Sequence, residues 1–300
     1  MAVKSREPQV LEPPPEREPD AQAGQAGPQP ERSGLYDPLW RTGLFNVGTI
    51  ARRELASYFV SPLGWVVGAL LVFLVSLLGY WGSVIAQQQA SLDSVLNARG
   101  LLAFLMVFLM PLYTMRLLAE ERRSGTLEIL LTSPVRDWEL VIGKWLGTFL
   151  YYLVTVAFTL VYLVLLMRFY PNQAPVHILG LSLNVPTLDY GTLLSGYAGL
   201  VLLGATFAAI GVFTSSLTQN QIIAAIAGIG ILLGFWFAFG LVANFVQPPV
   251  GDFLGYVDGS ARLDAFSRGQ VQLKDVVFFL TVTTGALFLT TRILESRKWR

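Results

Sequence analysis

Six long apolar stretches constrain this chain more than any other feature of its sequence. A helix needs about 20 mainly apolar residues to cross the hydrocarbon core of a bilayer. Inside lipid only helices and closed barrels satisfy the backbone hydrogen bonds, and unbroken apolar runs of this length are helical. We therefore predict an all-α polytopic membrane protein with six spans, near residues 62–85, 101–118, 141–167, 193–216, 222–246 and 276–294.

Composition agrees with this class and excludes several functions. The 300 residues are 53% hydrophobic and only 14% charged, with a mean hydropathy of +0.55, whereas a soluble surface needs more charge. The absence of cysteine excludes disulfides and thiol nucleophiles, and the single histidine excludes a multi-histidine metal site. No GxxxxGK[ST] loop is present. We expect no catalytic, cofactor or metal site and no binding to nucleic acid.

The chain begins with two segments of different character. Residues 1–35 consist mostly of proline, glutamate, glutamine, alanine and glycine, and they bury too little apolar surface to offset the cost of ordering a backbone. We predict a disordered tail there and a six-span domain over 36–300. Apolar residues at helical spacing within 36–59 predict an amphipathic helix that lies on the membrane surface before the first span.

Basic residues predict the orientation. Segments 1–61, 116–144 and 292–300 contain 16 of the 21 lysines and arginines. Cytoplasmic segments carry this excess in most membrane proteins, so both termini and the 116–144 loop are expected in the cytoplasm. The prediction is therefore a multi-pass protein of the plasma (inner) membrane.

The loop between spans two and three is an island of charge. Residues 115–145 contain ten of the 41 formally charged residues. Gly125 is expected to break the helix that leaves span two, Thr126 to begin a short new helix, and Ser133–Pro134 to begin the helix of span three. Leucines at i, i+3 and i+4 give the short helix one apolar face. A loop that only sets topology, with its leucines on the lipid headgroups, is the alternative.

This loop resembles the first cytoplasmic loop of ABC-2 type permeases, the membrane subunits of one class of ABC exporters. The resemblance covers about residues 44–300, with weaker matches at 215–226 and 262–280. These weaker matches resemble the branch of the family that includes gliding-motility and copper-processing permeases. In the loop the resemblance consists of Glu121–Arg122–Arg123, Gly125–Thr126–Leu127–Glu128, Leu130–Leu131, Ser133–Pro134 and Gly143–Lys144.

The resemblance implies a permease subunit of an ATP-driven exporter. The short helix would be a coupling helix that docks into a separate cytoplasmic ATPase, which uses the ATP and Mg. Two ATPases would rock two six-span halves, forming a homodimer or a heterodimer. The implied docking residues are Leu127, Leu130 and Leu131, and the implied polar rim is Glu121, Arg122, Arg123 and Glu128.

Other residues carry weaker predictions. Pro111 either kinks span two beneath a pathway or serves packing alone. Trp236, Phe239 and Asn244 either line a pathway or gate or contact lipid. Ser216 and Gln219 fit a capping box, and short outer helices are expected within 247–275. Three GxxxG pairs, Gly64/Gly68, Gly143/Gly147 and Gly230/Gly234, fit internal packing better than a dimer seam.

Two further functional classes stay open. A non-transporting membrane anchor would use the same ATPase contact to move an envelope machine. A passive channel or secondary carrier is the third class, although the spans lack the acidic residues and histidine that proton-coupled carriers usually need.

Overall fold

The computed structural model describes residues 43–77, 101–126, 135–169, 173–178, 181–186 and 190–297. All of these belong to one compact unit, Leu39–Arg300. The predicted tail over 1–35 lies outside the described residues. The predicted helical membrane fold is confirmed, with one short hairpin that the sequence analysis did not foresee. The elements are α1 (Leu44–Val60), α2 (Pro62–Leu74), α3 (Leu101–Thr114), α4 (Ala119–Arg123), α5 (Asp137–Phe169), β1 (Gln173–Ile178), β2 (Leu181–Pro186), α6 (Tyr190–Leu217), α7 (Gln221–Leu233), a π-helical turn (Gly234–Ala238), α8 (Phe239–Ala243), α9 (Val250–Val257), α10 (Gly259–Ser267) and α11 (Leu273–Arg297).

Five helical segments in the described part of the chain are long and apolar enough to cross a membrane. They correspond to predicted spans two to six and lie at Leu102–Arg123, Asp137–Val161, Gly191–Leu217, Gln221–Ala243 and Leu273–Ser296.

The first predicted span, 62–85, is described as far as Leu77. It follows the predicted amphipathic helix, which is α1, after a bend of 75° between Leu44–Val60 and Pro62–Leu77. Ser61 has extended backbone at this elbow, and Pro62 occupies the first turn of α2, where its missing N–H is not needed. The bend allows α1 to run along the membrane surface and α2 to enter the bilayer.

The core of the bundle surrounds α6. In its apolar stretch 78% of the residues are buried, compared with 28% in the apolar stretch of α11. Hydroxyl groups join the spans at several depths. The Tyr152 hydroxyl of α5 donates to the Leu200 carbonyl at 2.8 Å, and the hydroxyls of Thr206 and Thr283 lie 3.0 Å apart between α6 and α11. Because lipid offers these groups no water, each contact satisfies a hydrogen bond that the membrane cannot.

The bundle has two ends with different contents. At the first, which we name the loop end, α3, α4 and α5 meet the end of α6, and a small apolar cluster joins Leu117 and Leu118 to Leu294 of α11. The other, which we name the far end, contains the antiparallel hairpin β1–β2, in which Val176 lies opposite Leu183, and the helices α9 and α10. The predicted outer helices within 247–275 are thus confirmed as helices.

The far end is held by a buried ion pair. Arg262 of α10 donates to Asp275 of α11 at 2.7 Å, with 8% and 3% of the two side chains exposed. The same guanidinium donates to the Tyr256 carbonyl and lies 4.0 Å from the centroid of the Tyr256 ring and 4.9 Å from that of Phe278. Arg262 therefore fixes both outer helices to the first turn of the last span.

The cap of α7 corrects one prediction. The capping box of Ser216 and Gln219 is wrong, because Ser216 lies inside α6 and its hydroxyl donates to the Phe213 carbonyl at 2.7 Å. Asn220 is the residue that caps α7, and its side-chain oxygen accepts from the Ile222 N–H at 2.9 Å.

We expect Asn220→Ala to lower the stability of the protein by about 1 kcal/mol, because an N–H at the start of α7 then loses its acceptor. Asn220→Asp keeps the acceptor and should restore stability. Thermal unfolding of the detergent-solubilised protein checks both variants, and an unchanged midpoint in the alanine variant would show that the cap contributes nothing.

Candidate functional site

The charged loop is described on both of its flanks, over residues 116–126 and 135–144. The middle of the loop, with Leu127, Glu128, Leu130, Leu131 and Pro134, lies outside the described residues. The short coupling helix between spans two and three therefore stays a prediction, and the structure describes its surroundings.

On the first flank, α4 ends at the predicted break. Gly125 has φ of +73°, the left-handed conformation that residues with a Cβ seldom adopt, so glycine here stops the helix and turns the chain. The Thr126 hydroxyl lies 2.8 Å from that of Ser124 and 3.3 Å from the Glu121 carbonyl. It thus binds the turn before it.

Lys144 joins this flank to two other elements. Its Nζ lies 2.8 Å from Glu121 Oε1 of α4 and 3.3 Å from Glu54 Oε2 of α1, and only 4% of the lysine side chain is exposed. Glu121, which is predicted at a polar rim, forms an ion pair with Lys144 within the chain. Lys144 therefore holds the loop flank and the amphipathic helix together at the start of span three.

Two arginines fix the same region by other contacts. Arg122 donates to the Ser216 carbonyl at 2.7 Å, at the C-terminal end of α6 where the helix dipole favours a cation. Arg116 donates to the Ser61 hydroxyl at 2.8 Å and lies 5.2 Å from the centroid of the Tyr58 ring. Arg123 is exposed, whereas Glu121 and Arg122 are half-buried. Among the three charged residues predicted at the rim before Gly125, Arg123 is therefore the most accessible to a partner.

The amphipathic helix packs closely along the first half of span three. A Cβ at Gly143 would lie 2.7 Å from the Ile50 side chain, and one at Gly147 would lie 2.9 Å from the Ala51 carbonyl. This GxxxG pair therefore serves internal packing, as predicted, and it lets α1 lie directly on α5.

Polar contacts extend this packing in both directions. Asn46 donates to Glu139 at 2.9 Å near one end of α1, and the Tyr58 hydroxyl near the other donates to the Tyr113 carbonyl at 2.8 Å and lies 3.0 Å from the Thr148 hydroxyl. Close packing and hydrogen bonds therefore join α1 to the first half of α5, next to the charged loop.

A groove of about 650 Å³ opens between α1 and the loop flank. Its wall combines carboxylates and cations of both elements with a few apolar side chains, so it is neither strongly acidic nor strongly basic. The lining residues that bear charge are Arg53, Glu54, Arg116, Glu120, Glu121 and Lys144. The chain enters the 127–134 segment beside this groove, since Ser124 and Thr126 also line it.

Comparison with known proteins fits this arrangement. Residues 48–299 match the family described as ABC-2 family transporter protein. The chain belongs to this family. Two relatives are each named "Probable ABC transporter permease protein NosY": that of Pseudomonas aeruginosa is 32% identical over 65% of this chain and 67% of its own length, and that of Stutzerimonas stutzeri is 29% identical over 67% and 68%. The chain is thus an ABC-2 permease, a membrane subunit of an ABC transporter, and this family implies a separate ATPase subunit and a lipid bilayer.

Of the residues predicted at a pathway or gate in this ABC-2 permease, Pro111 lies in α3, whereas Trp236, Phe239 and Asn244 follow one another from the π-helical turn to the end of α8. Pro111 is buried inside α3, and a Cβ at Gly228 of α7 would lie 3.1 Å from its Cβ, so it takes part in packing between these helices. Phe239 is half-buried, and Asn244 is exposed and donates to the Gly240 carbonyl of its own helix at 2.9 Å.

Trp236 is fully buried in the π-helical turn, with its ring 5.8 Å from that of Phe207. Its indole N–H has no hydrogen-bond partner among the described residues. Because Trp236 is buried, its side chain does not contact lipid. Phe237 beside it is 36% exposed.

Sequence reasoning missed Glu54 and the role of Lys144. One signal was present: a lysine at the start of an apolar span, directly after a glycine, is expensive to bury unless a carboxylate binds it. A search for the nearest carboxylates on the amphipathic helix would have led to Glu54.

Proposed function

We propose that this ABC-2 permease couples ATP hydrolysis by its partner ATPase to export of a substrate from the cytoplasm across the plasma (inner) membrane. The 116–144 loop is the element that receives the ATPase. The observation that carries the proposal is the convergence of α4, α1 and α5 on Lys144 at the loop end. The two ion pairs of Lys144 fix the loop flank to two neighbouring helices, so that a force applied to the loop by a partner would reach both of them.

The orientation in the membrane is part of this proposal. Positive charge is concentrated at the loop end, where Arg52, Arg53, Arg116 and Arg123 stand, and this pattern supports a cytoplasmic loop and cytoplasmic termini. ATP and Mg bind to the partner subunit, and the chain itself holds no cofactor and performs no catalysis. Two permease halves, identical or related, complete the transporter.

The orientation is testable because the chain has no cysteine. A single cysteine at Ser124 should react with a membrane-impermeant thiol reagent only after the cells are opened. A cysteine at Phe253 of α9, 66% exposed at the far end, is the matched control and should react in spheroplasts. The reversed labelling pattern would place the loop on the wrong side for an ATPase.

The function is tested with the purified permease and the Walker-type ATPase that accompanies it. We expect the two to co-purify and the permease to change the turnover of the ATPase. Inside-out vesicles should then accumulate a lipid, drug, glycan or peptide cargo only with ATP. Assembly and turnover without accumulation would support the membrane anchor instead, and flux through the permease alone would support a channel.

A further inference from the structure

Lys144 is a cation shared between two carboxylates that belong to different helices. Glu121 belongs to α4, at the edge of the loop, and Glu54 belongs to the amphipathic helix α1. An ammonium group is strongly hydrated, so a lysine with 4% exposure is stable only while carboxylates replace the lost water. The two bonds therefore form a link between the loop and the amphipathic helix.

The charges of this cluster do not cancel. One ammonium faces two carboxylates, and Glu121 Oε2 is buried with no hydrogen-bond partner among the described residues. Removing the lysine charge would leave two carboxylates facing each other across a partly buried site, which disfavours their approach. The link thus depends on Lys144, since no other described cation forms an ion pair with either carboxylate.

The link leads into the first span. Glu54 and Tyr58 lie one turn apart on α1, and Tyr58 binds spans two and three through the Tyr113 carbonyl and the Thr148 hydroxyl. The elbow of 75° to α2 follows three residues later. A displacement of α4 that Lys144 passes to Glu54 would therefore reach the elbow from which span one starts.

We propose that Lys144 is a positioning residue that passes displacement of the 116–126 flank to α1 and span one. This inference rests on the proposed function, because it assigns to Lys144 the transmission step between ATPase docking and movement of the spans. The role assigned to Lys144 is exerted through Glu121 and Glu54 and requires no contact with nucleotide or cargo.

The first test measures coupling. In the assembled complex, Lys144→Met and Glu121→Gln should each lower the permease-dependent change in ATPase turnover by about three- to thirtyfold, while co-purification with the ATPase is retained. Glu295→Gln is the control, because it removes a carboxylate at the same end of the bundle from an exposed ion pair. Arg292 is 62% exposed and Glu295 is 41% exposed, so this variant should leave the turnover unchanged. Full turnover in both Lys144→Met and Glu121→Gln would overturn the inference. If Lys144 were only structural, Lys144→Met would lower the yield of the complex, but the permease-dependent change in ATPase turnover per assembled complex would stay the same.

The second test needs no ATPase. Spin labels on cysteines at Arg53 of α1 and Ser124 beside α4, both exposed and both lining the groove, report the distance between the linked elements. The distance distribution should be narrow in the otherwise unchanged chain and in Glu295→Gln, and broad in Lys144→Met and Glu121→Gln.

The two tests separate the two claims. Distributions that Lys144→Met and Glu121→Gln leave narrow would refute the link whether or not the ATPase binds. A distribution that broadens as expected, in a permease that fails to bind any ATPase, would instead refute the proposed function and leave the link intact.

Discussion

Replacing Leu131 with aspartate is expected to abolish coupling to the ATPase while the permease still inserts and folds. In an apolar docking contact, an unpaired carboxylate must lose its hydration, which costs several kcal/mol. A loss of about 3 kcal/mol weakens docking roughly a hundredfold. Co-purification of the ATPase and its permease-dependent turnover are the two measurements, and both should fall to the level without permease. Leu127→Asp should act in the same way.

The control for this prediction is Leu131→Met, which keeps an apolar side chain of similar volume and should retain docking. Size-exclusion chromatography and the thermal unfolding midpoint establish that the aspartate variant is folded. Wild-type turnover in a folded Leu131→Asp permease would contradict the coupling role of the loop. It would instead support the alternative in which the leucines merely rest on lipid headgroups.

Loss of the buried cation at the far end should produce the largest change in stability. Arg262→Met leaves Asp275, which is 3% exposed, without its cation at the first turn of α11. Removing one partner of a buried ion pair typically costs about 3–5 kcal/mol. The aromatic contacts of Arg262 with Tyr256 and Phe278 are lost as well, so the attachment of α9 and α10 should weaken together with global stability.

A neighbouring pair provides the control for this second prediction. Arg268 and Asp264 form an ion pair one helical turn apart on the same end, but their side chains are 70% and 42% exposed. Exposed pairs contribute about 0–1 kcal/mol, so Arg268→Met should shift the unfolding midpoint little. Unfolding of the detergent-solubilised protein compares the two variants. Equal shifts would show that burial of the Arg262–Asp275 pair has no special effect.

The parts of the fold that depend on long apolar runs could be predicted from sequence. Among the described residues, helices occur where the predicted spans lie, because a bilayer-length apolar run has no alternative to the helix. The elbow before Pro62 and the break at Gly125 were also predictable, since proline and glycine act through their own backbone preferences.

Contacts between distant residues could not be predicted in the same way. The pair of Lys144 and Glu54 joins positions 90 residues apart, and periodicity contains no information on which helix faces which. The prediction of the residue that caps α7 failed for a related reason. Ser216–Gln219 and Asn220 both fit capping patterns, and only the end of α6 at Leu217 decides between them.

The hairpin β1–β2 was missed because its residues carry no turn signal of the common hairpin types and follow a long apolar span. In the candidate site, the internal partners of Glu121 and Arg122 could not be read from the sequence for a similar reason, and their place at a rim stays a prediction. A charged cap such as Glu121–Arg122–Arg123 has the same sequence pattern whether its side chains face a partner or the chain itself, and the partners Lys144 and Ser216 decide which occurs.

Site-specific cross-linking from the middle of the loop tests the central claim most directly. A cysteine at Leu130, in the otherwise cysteine-free chain, would be loaded with a short photoreactive group in the assembled complex and illuminated. We predict a cross-link to the ATPase subunit from position 130 and none from an equivalent cysteine at Phe253 of α9. A complex that retains ATPase turnover but cross-links to the ATPase only from position 253, or from neither position, would contradict the role of this loop as the receiver of the ATPase.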